Sequence, residues 1–339
     1  MDYSRKVLVV AERDTITGRL KTGPSLRLNY FPRSYVYELR EDSLSQSNYI
    51  RNITFNPMTT LYMLAKALFQ RAFSVGGNYR LVHSFFWNFY RYRIPWVHEN
   101  DQSPSQLIFN YLGLRNGFGR RVVELAASII NGAEAVITWS EYARNGFVDD
   151  GVDKEKVQVV PLPYHARCER LSHEGINVLF VGRDYYRKGG DIAVKLMLDI
   201  VQSEKDVQFH YVGRGFVPKH PNFHHYENLP RERLERLYSI ADLMIYPSRN
   251  EAYGLAILEA QSYGIPVIAS NLPAFREMLG RYGSGYAVPS DKMKEVVLDL
   301  IRSGEKRSIL SENACRMVRE VHDPARASEA LERIYDSVQ

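Results

Sequence analysis

"DLMIYPSRNEAYGLAILEAQSYGIPVIAS", residues 242–270, carries the pattern that decides the fold. An apolar run, 242–248, closes on Pro247 and Ser248, and a loop holding Glu251 follows. Tyr253 and Gly254 open an apolar helical stretch that Gly264 ends, and "IPVIAS" (265–270) returns as a second apolar run. Short buried strands separated by a helix imply parallel strands joined by helical crossovers.

The same alternation extends outward from this stretch. "INVLFVG" (176–182) and "VQFHYVG" (207–213) read as strands, and "GDIAVKLMLDIVQSE" (190–204) and "PRERLERLYSIA" (230–241) as helices. In the first half, "KVLVVA" (6–11), "RLVHSFF" (80–86), "IPWVHE" (94–99), "AVITWS" (135–140) and "VQVVPL" (157–162) read as strands. "TTLYMLAKALFQRAF" (59–73) and "FGRRVVELAASIING" (118–132) read as helices. A stretch without clear period, 163–175, separates the halves. The sequence therefore predicts two doubly wound α/β domains, 1–165 and 166–320, and an amphipathic helix near the end (321–339) that starts near Pro324. Open parallel sheets bind ligands beyond the carboxyl ends of their strands, so the expected site is the cleft between the two.

Composition agrees with a folded chain: of 339 residues, 45% are hydrophobic and 24% charged. The net charge of +5 lies in the first half, with 20 basic against 15 acidic residues in 1–165 and 24 of each in 166–339. Such a bias suits an anionic partner or a membrane surface, and equally a solvated exterior. Two cysteines, Cys168 and Cys315, are too few for a disulfide framework and lack metal-ligand spacing. Both are expected in the core of a protein from a reducing compartment. The apolar run Val7–Ala11 is too short for a signal peptide, and no window approaches the roughly 20 apolar residues of a spanning helix. The expectation is a cytoplasmic protein, with peripheral attachment at the membrane surface left open.

The chemistry concentrates after the strands. "RDYYRKGGD" after the strand at 176 brings Arg183, Arg187 and Lys188 beside Gly182, Gly189 and Gly190, ahead of a helix. Free amides, a helix dipole and side-chain cations together suit a diphosphate. The same cations also read as solvated loop residues. No Gly-x-Gly-x-x-Gly follows the first strands and no Gly-Lys-Ser/Thr occurs, which disfavours nicotinamide and P-loop enzymes. In the opening stretch, Gly254 lets a ligand approach the backbone, and the amides of Gly254, Leu255 and Ala256 point outward as unpaired donors. Glu251 and Glu259 have seven residues between them. They read either as helix cap and polar flank or as acceptors for sugar and ribose hydroxyls, since a carboxylate amid apolar residues needs a partner.

"LFVGRDYYRKGGD", "LPRERLERLYSIADLMIYPSRNEAYGLAILEAQSYGIPVIASNLPAFREML" and "GSGYAVP", spanning residues 176–290 in order, resemble the donor-binding domain of retaining glycosyltransferases of family 4. That resemblance implies the GT-B fold of two Rossmann-like domains. It implies that Arg183 and Lys188 hold the nucleotide diphosphate, that Glu251 contacts the transferred sugar and that Glu259 contacts the ribose. Gly182 and the backbone from Tyr253 through Gly254 and Leu255 to Ala256 would serve the sugar and distal phosphate, and Asn228 and Leu229 would lie by the base. No metal and no resident cofactor are implied, because protein cations stabilise the leaving diphosphate. Glu277 occupies a position where family members carry a glutamate, and its expected role is structural, at a helix start.

In the first half, "IPWVHENDQS" (94–103) resembles the strand end at which many members place a histidine facing the sugar, which is carried to His98. Glu99 and Asp101 follow, either orienting an acceptor hydroxyl or serving the loop. The double glycine that members often carry after the first strand is missing; Gly18 and Gly23 stand apart. "SFFWNFYRYRIPW" (84–96) interleaves aromatics with Arg91 and Arg93, as an interfacial basic-aromatic patch or an aromatic core beside a basic edge. No nucleic-acid module surrounds it.

The resulting expectation is a metal-independent hexosyltransferase-type enzyme. It would move a sugar from a UDP- or GDP-sugar to a carbohydrate, glycolipid or glycoprotein acceptor with retention of configuration. A nucleotide-sugar epimerase of the same architecture and an inactive nucleotide-sugar-binding protein are the alternatives.

Overall fold

The computed structural model describes residues 5–13, 19–42 and 70–338. It divides into two compact units, Met1–Pro163 with Pro324–Gln339, and Tyr164–Asp323.

The N-terminal unit has β1 (Lys6–Glu12), α1 (Thr22–Leu28), β2 (Val36–Asp42), β3 (Ser74–Val75), β4 (Leu81–Phe85), β5 (Arg91–Tyr92) and β6 (Trp96–Glu99). A π-helix (Gln106–Tyr111), α2 (Gly117–Ile130), β7 (Ala135–Thr138), α3 (Glu141–Asp149) and β8 (Val157–Val159) complete it. The main sheet is parallel, in the order β2-β1-β4-β6-β7-β8, and β3 pairs with β5 apart from it. β4 and β6 are buried along their whole length, as strands covered on both faces must be. Asn116 and Ser140 start α2 and α3 by accepting from the amides of Gly119 and Ala143.

The second unit has β9 (Ile176–Val181), α4 (Gly190–Ser203), β10 (Val207–Val212), β11 (Phe223–Tyr226), α5 (Arg231–Ile240) and β12 (Leu243–Tyr246). It continues through α6 (Leu255–Ser262), β13 (Val267–Ser270), α7 (Pro273–Gly280), β14 (Gly285–Val288), α8 (Ser290–Arg302) and α9 (Gly304–Val321). Its parallel sheet runs β11-β10-β9-β12-β13-β14, the dinucleotide-fold order counted from β9. The order reverses between β9 and β12, which pair directly through Leu243 with Val178 and Met244 with Leu179. The loops after these two strands therefore emerge side by side.

The last helix, α10 (Pro324–Ser337), belongs to the N-terminal unit. Leu331, Ile334 and Tyr335 enter the core formed by Val7, Phe31 and Leu81, and Tyr35 donates to Asp336 at 2.6 Å.

Three expectations change, resolve or lie outside the described residues. Cys168 and Cys315 are not separate core thiols: they form a disulfide across 147 positions, with Cα atoms 6.0 Å apart. The pairing removes the ground on which the cysteines pointed to a reducing compartment. Of the two readings of 84–96, the structure has the aromatic core beside a basic edge: Phe85, Phe89, Tyr90 and Trp96 are buried, and only Arg91 and Arg93 reach solvent freely. The helix expected over 59–73 falls, up to residue 69, outside the described residues, as does Gly18. Among the described residues, no helix is long and apolar enough to cross a membrane.

Candidate functional site

The loops after β9 and β12 are bound to one another. Gly189 has a φ of 74°, and a Cβ there would strike the Pro247 carbonyl, so only glycine lets the two loops close up. The Arg249 amide donates to the Arg187 carbonyl at 2.8 Å, and Ser248 Oγ to the same carbonyl at 3.1 Å. Arg249 also grips Asp191, in the first turn of α4, through two bonds of 2.7 Å. This fork-to-fork geometry fixes direction as well as distance.

On this base, Lys188 Nζ lies 2.7 and 2.6 Å from the two Glu251 oxygens and donates to Tyr246 Oη at 2.7 Å. Arg187 reaches Glu251 Oε2 at 3.3 Å and holds Asp184 at 3.2 Å. The Lys188 and Glu251 side chains are each 13% exposed. Burial draws the Lys188 pKa below its ordinary value, against the opposing pull of Glu251. Arg183 is exposed on the same loop.

Three residues further, Gly254 (φ 98°) turns the chain into α6 with no side-chain cap. Ile257 and Leu258 are the first residues whose amides return to the Gly254 carbonyl. The helix start therefore faces outward at the carboxyl end of β12, with its dipole unopposed by an acidic first turn. Tyr253 is buried, while Leu255 and Ala256 are half-buried.

Glu259, one turn into α6, belongs to a second cluster. It accepts from Arg231 at 2.9 Å and Tyr238 at 3.0 Å, and Arg231 donates onward to Tyr164 Oη at 3.2 Å. Asn228 is exposed and Leu229 half-buried just ahead of α5. Glu277 is the fifth residue of α7, past the first turn, so the helix-start reason for it does not hold.

The structure thus brings Lys188, Glu251 and the Gly254 turn together at the switch point, with Glu259 on the adjoining helix. Arg187, Tyr246, Arg231 and Tyr238 complete the two clusters and had not been singled out as site residues. Arg187 was legible as a loop cation; the tyrosines, buried on strand and helix, gave no signal.

The strand-end residues of the N-terminal unit lie in its interior. His98 has no exposed surface and its ring nitrogens have no hydrogen-bond partner among the described residues. Phe89, Trp96 and Phe147 surround it with ring centroids at 6.5, 5.9 and 6.3 Å, and burial pushes its pKa down to about 3. Glu99, on the opposite face of β6, is fully buried and accepts from Arg27 at 2.9 Å and Trp139 at 2.6 Å, with His83 Nε2 at 3.0 Å. Burial opposes its charge, yet Arg27 and His83 outweigh it and hold the carboxyl below its ordinary range. His83 Nδ1 meets Tyr335 Oη at 2.6 Å, tying α10 into this network. Asp101 is half-buried in the following loop. Among the described residues, no cluster of three or more His, Cys, Asp or Glu has the arrangement of a metal site.

Residues 167–317, nearly all of the second unit, match the family described as glycosyl transferases group 1. Alpha-galactosylglucosyldiacylglycerol synthase of Streptococcus pneumoniae is 28% identical over 51% of this chain and 50% of its own length. The chain spans about half the length of the curated relatives it matches. Among solved structures, sucrose-phosphate synthase from Thermosynechococcus elongatus superimposes with a TM-score of 0.70 at 15% identity, covering 98% of both chains. Anabaena HepE, solved in complex with UDP and glucose, gives 0.66 at 16% identity, covering 98% of this chain and 100% of its own. The fold is GT-B: two Rossmann-like parallel-sheet domains.

Proposed function

We propose that this chain is a retaining glycosyltransferase that takes its sugar from a nucleotide-diphosphate sugar. The observation that carries the reading is the Lys188–Glu251 pair beside the uncapped start of α6, at the switch point of the unit that matches glycosyl transferases group 1. The UDP and glucose in the HepE complex support a nucleotide-sugar donor.

In this reading Lys188 and the exposed Arg183 bind the diphosphate, and the amides from Gly254 to Ala256 receive the distal phosphate and sugar. Glu251 exchanges part of its contact with Lys188 for a sugar hydroxyl. Glu259 takes the ribose hydroxyls, and Asn228 and Leu229 flank the base. Gly182 keeps the loop close to the ligand. The acceptor oxygen attacks the anomeric carbon as the carbon–phosphate oxygen bond breaks, and the acceptor proton passes to the departing phosphate oxygen on the same face. Charge on the leaving group is met by Lys188 and Arg183, so no divalent ion is required. His98 and Glu99 have no part in this step: the first is enclosed by aromatics and the second is committed to Arg27, while Asp101 is the acceptor-side residue with access to solvent.

The test is a thermal-shift and turnover screen of the whole chain with UDP-, GDP- and ADP-sugars, with and without excess chelator. One donor should raise the melting temperature and be consumed in both conditions in the presence of an acceptor. Loss of turnover in chelator, restored by a divalent ion, would refute the metal-free step. Interconversion of the donor sugar without acceptor would make the chain an epimerase.

A further inference from the structure

Tyr246, the last residue of β12, is 1% exposed. Its backbone lies in the sheet opposite Ala269 of β13, and its ring packs against Phe275 of α7 with centroids 5.7 Å apart. Sheet and core therefore hold this side chain, independently of any ligand. Its hydroxyl reaches Lys188 Nζ at 2.7 Å, and Nζ lies 5.3 Å from the ring centroid. An ammonium at those two distances sits beyond the phenol oxygen, off the end of the ring and not above its face. The contact is a charge-assisted hydrogen bond rather than a cation–π pair, and a phenylalanine at this position would lose it whole.

An ammonium has three N–H donors, and those of Lys188 face three acceptors: the two Glu251 oxygens at 2.7 and 2.6 Å, and Tyr246 Oη. The acceptors differ in what holds them. Glu251 stands in a loop with 13% of its side chain exposed and can yield to a ligand, whereas Tyr246 is fixed in strand and core. When an anion draws Glu251 aside, the bond to Tyr246 stays, and the released donors point where the carboxylate stood. Without that anchor the head of a lysine turns freely on a four-carbon stem. We propose that Tyr246 is a positioning residue, whose hydroxyl holds the Lys188 ammonium in the direction that meets the departing diphosphate without reorganisation. The proposal rests on the reading of Lys188 as a cation of the donor site. Burial first, and Glu251 after it, push the Tyr246 pKa well above its ordinary value, so the phenol stays neutral and accepts from the charged lysine. Around Lys188 itself, Glu251 and Asp184 favour the charged form, while burial and Arg187 oppose it.

The experiment follows nucleotide release by the full chain from the UDP-, GDP- or ADP-sugar that the wild type consumes. Tyr246→Phe keeps the ring and its packing and removes the hydroxyl, so its melting temperature should match the wild type. Its kcat should fall about tenfold with the donor KM kept within about twofold, since one hydrogen bond to a charge is lost where the charge matters most, in the transition state. The alkaline limb of kcat/KM, which reports the free enzyme, should move down by about one pH unit, because the ammonium loses an acceptor that favours its charged form. In a Lys188→Ala background the same substitution should change nothing further, as for two residues that act as a unit. A wild-type kcat in Tyr246→Phe, a fall in kcat without movement of the limb, or a full further loss on top of Lys188→Ala overturns the inference and leaves the donor site as described. Equal nucleotide release by the wild type and Lys188→Ala would instead remove Lys188 from the donor site and overturn both.

Discussion

Glu99 ends a central strand of one parallel sheet, Glu251 lies in the loop after a central strand of the other, and they meet opposite fates. Glu99 is wholly enclosed, and its oxygens are taken by Arg27, Trp139 and His83. Glu251 keeps partial access, with both oxygens met by Lys188 and one also by Arg187. A buried carboxylate with every partner internal serves to hold elements together: Arg27 from α1 also donates to the carbonyl of Pro161 at 3.0 Å, and His83 reaches α10 through Tyr335. A half-open pair can exchange a partner for a ligand. Position in the fold therefore nominates a residue, and its access to solvent decides what it can do.

The comparison breaks most sharply at Arg27. Arg27→Met removes the charge opposite a fully buried carboxylate and should cost about 3–5 kcal/mol of stability, the range for one half of a buried pair. Urea unfolding measures it, and a loss below about 1 kcal/mol would show that Glu99 is not held as described. The Lys188 side should behave in the reverse way. Lys188→Ala should reduce transfer about 10²–10³-fold, or roughly 3–4 kcal/mol in the transition state, as for other groups aimed at developing charge. Its melting temperature should change little. Glu251→Ala should match it, and wild-type turnover in either variant would remove the pair from the site.

His98 sharpens the same contrast through pH. Its folded pKa, about 3, lies below the ordinary 6.5, so the unfolded chain binds the proton between those values and the folded chain does not. Stability must fall as pH drops through that window, by about 2 kcal/mol between pH 6.5 and 4.5 from this residue alone. His210, lowered to about 4 by burial and then by His224, adds in the same direction. His98→Phe should flatten the acid limb by its own share; an unchanged limb would mean that His98 is charged or hydrated in the folded state.

The sequence was readable where burial is complete on both faces. β1, β4, β6, β9 and β12 are short, largely buried runs rich in apolar residues, and each was placed within a few residues. The edge strands β2 and β11 were not foreseen: "VYELRED" and "FHHY" lie at the margins of their sheets, so charge and histidine are tolerated there. In the candidate site, Lys188 and Glu251 were nominated by resemblance, since 63 positions separate them and no periodicity spans that distance. The Arg27–Glu99 pair and the Cys168–Cys315 bond were missed for the same reason. Partners chosen by the topology leave no local trace.

Glu259 stands between the two cases and should give the smallest effect. It is 14% exposed, close to Glu251, and its two oxygens are met by Arg231 and Tyr238. A ribose hydroxyl must share these oxygens instead of finding them free, so the net gain on binding is that of one or two exchanged hydrogen bonds, about 1–2 kcal/mol. Glu259→Ala should accordingly weaken donor binding about tenfold, read by titration calorimetry, with the maximal rate nearly kept because the loss falls equally on ground and transition states. A maximal rate reduced as far as in Lys188→Ala would place Glu259 at the reacting centre. Unchanged affinity would make it a second Glu99, a carboxylate whose only work is to fix Arg231 and Tyr238.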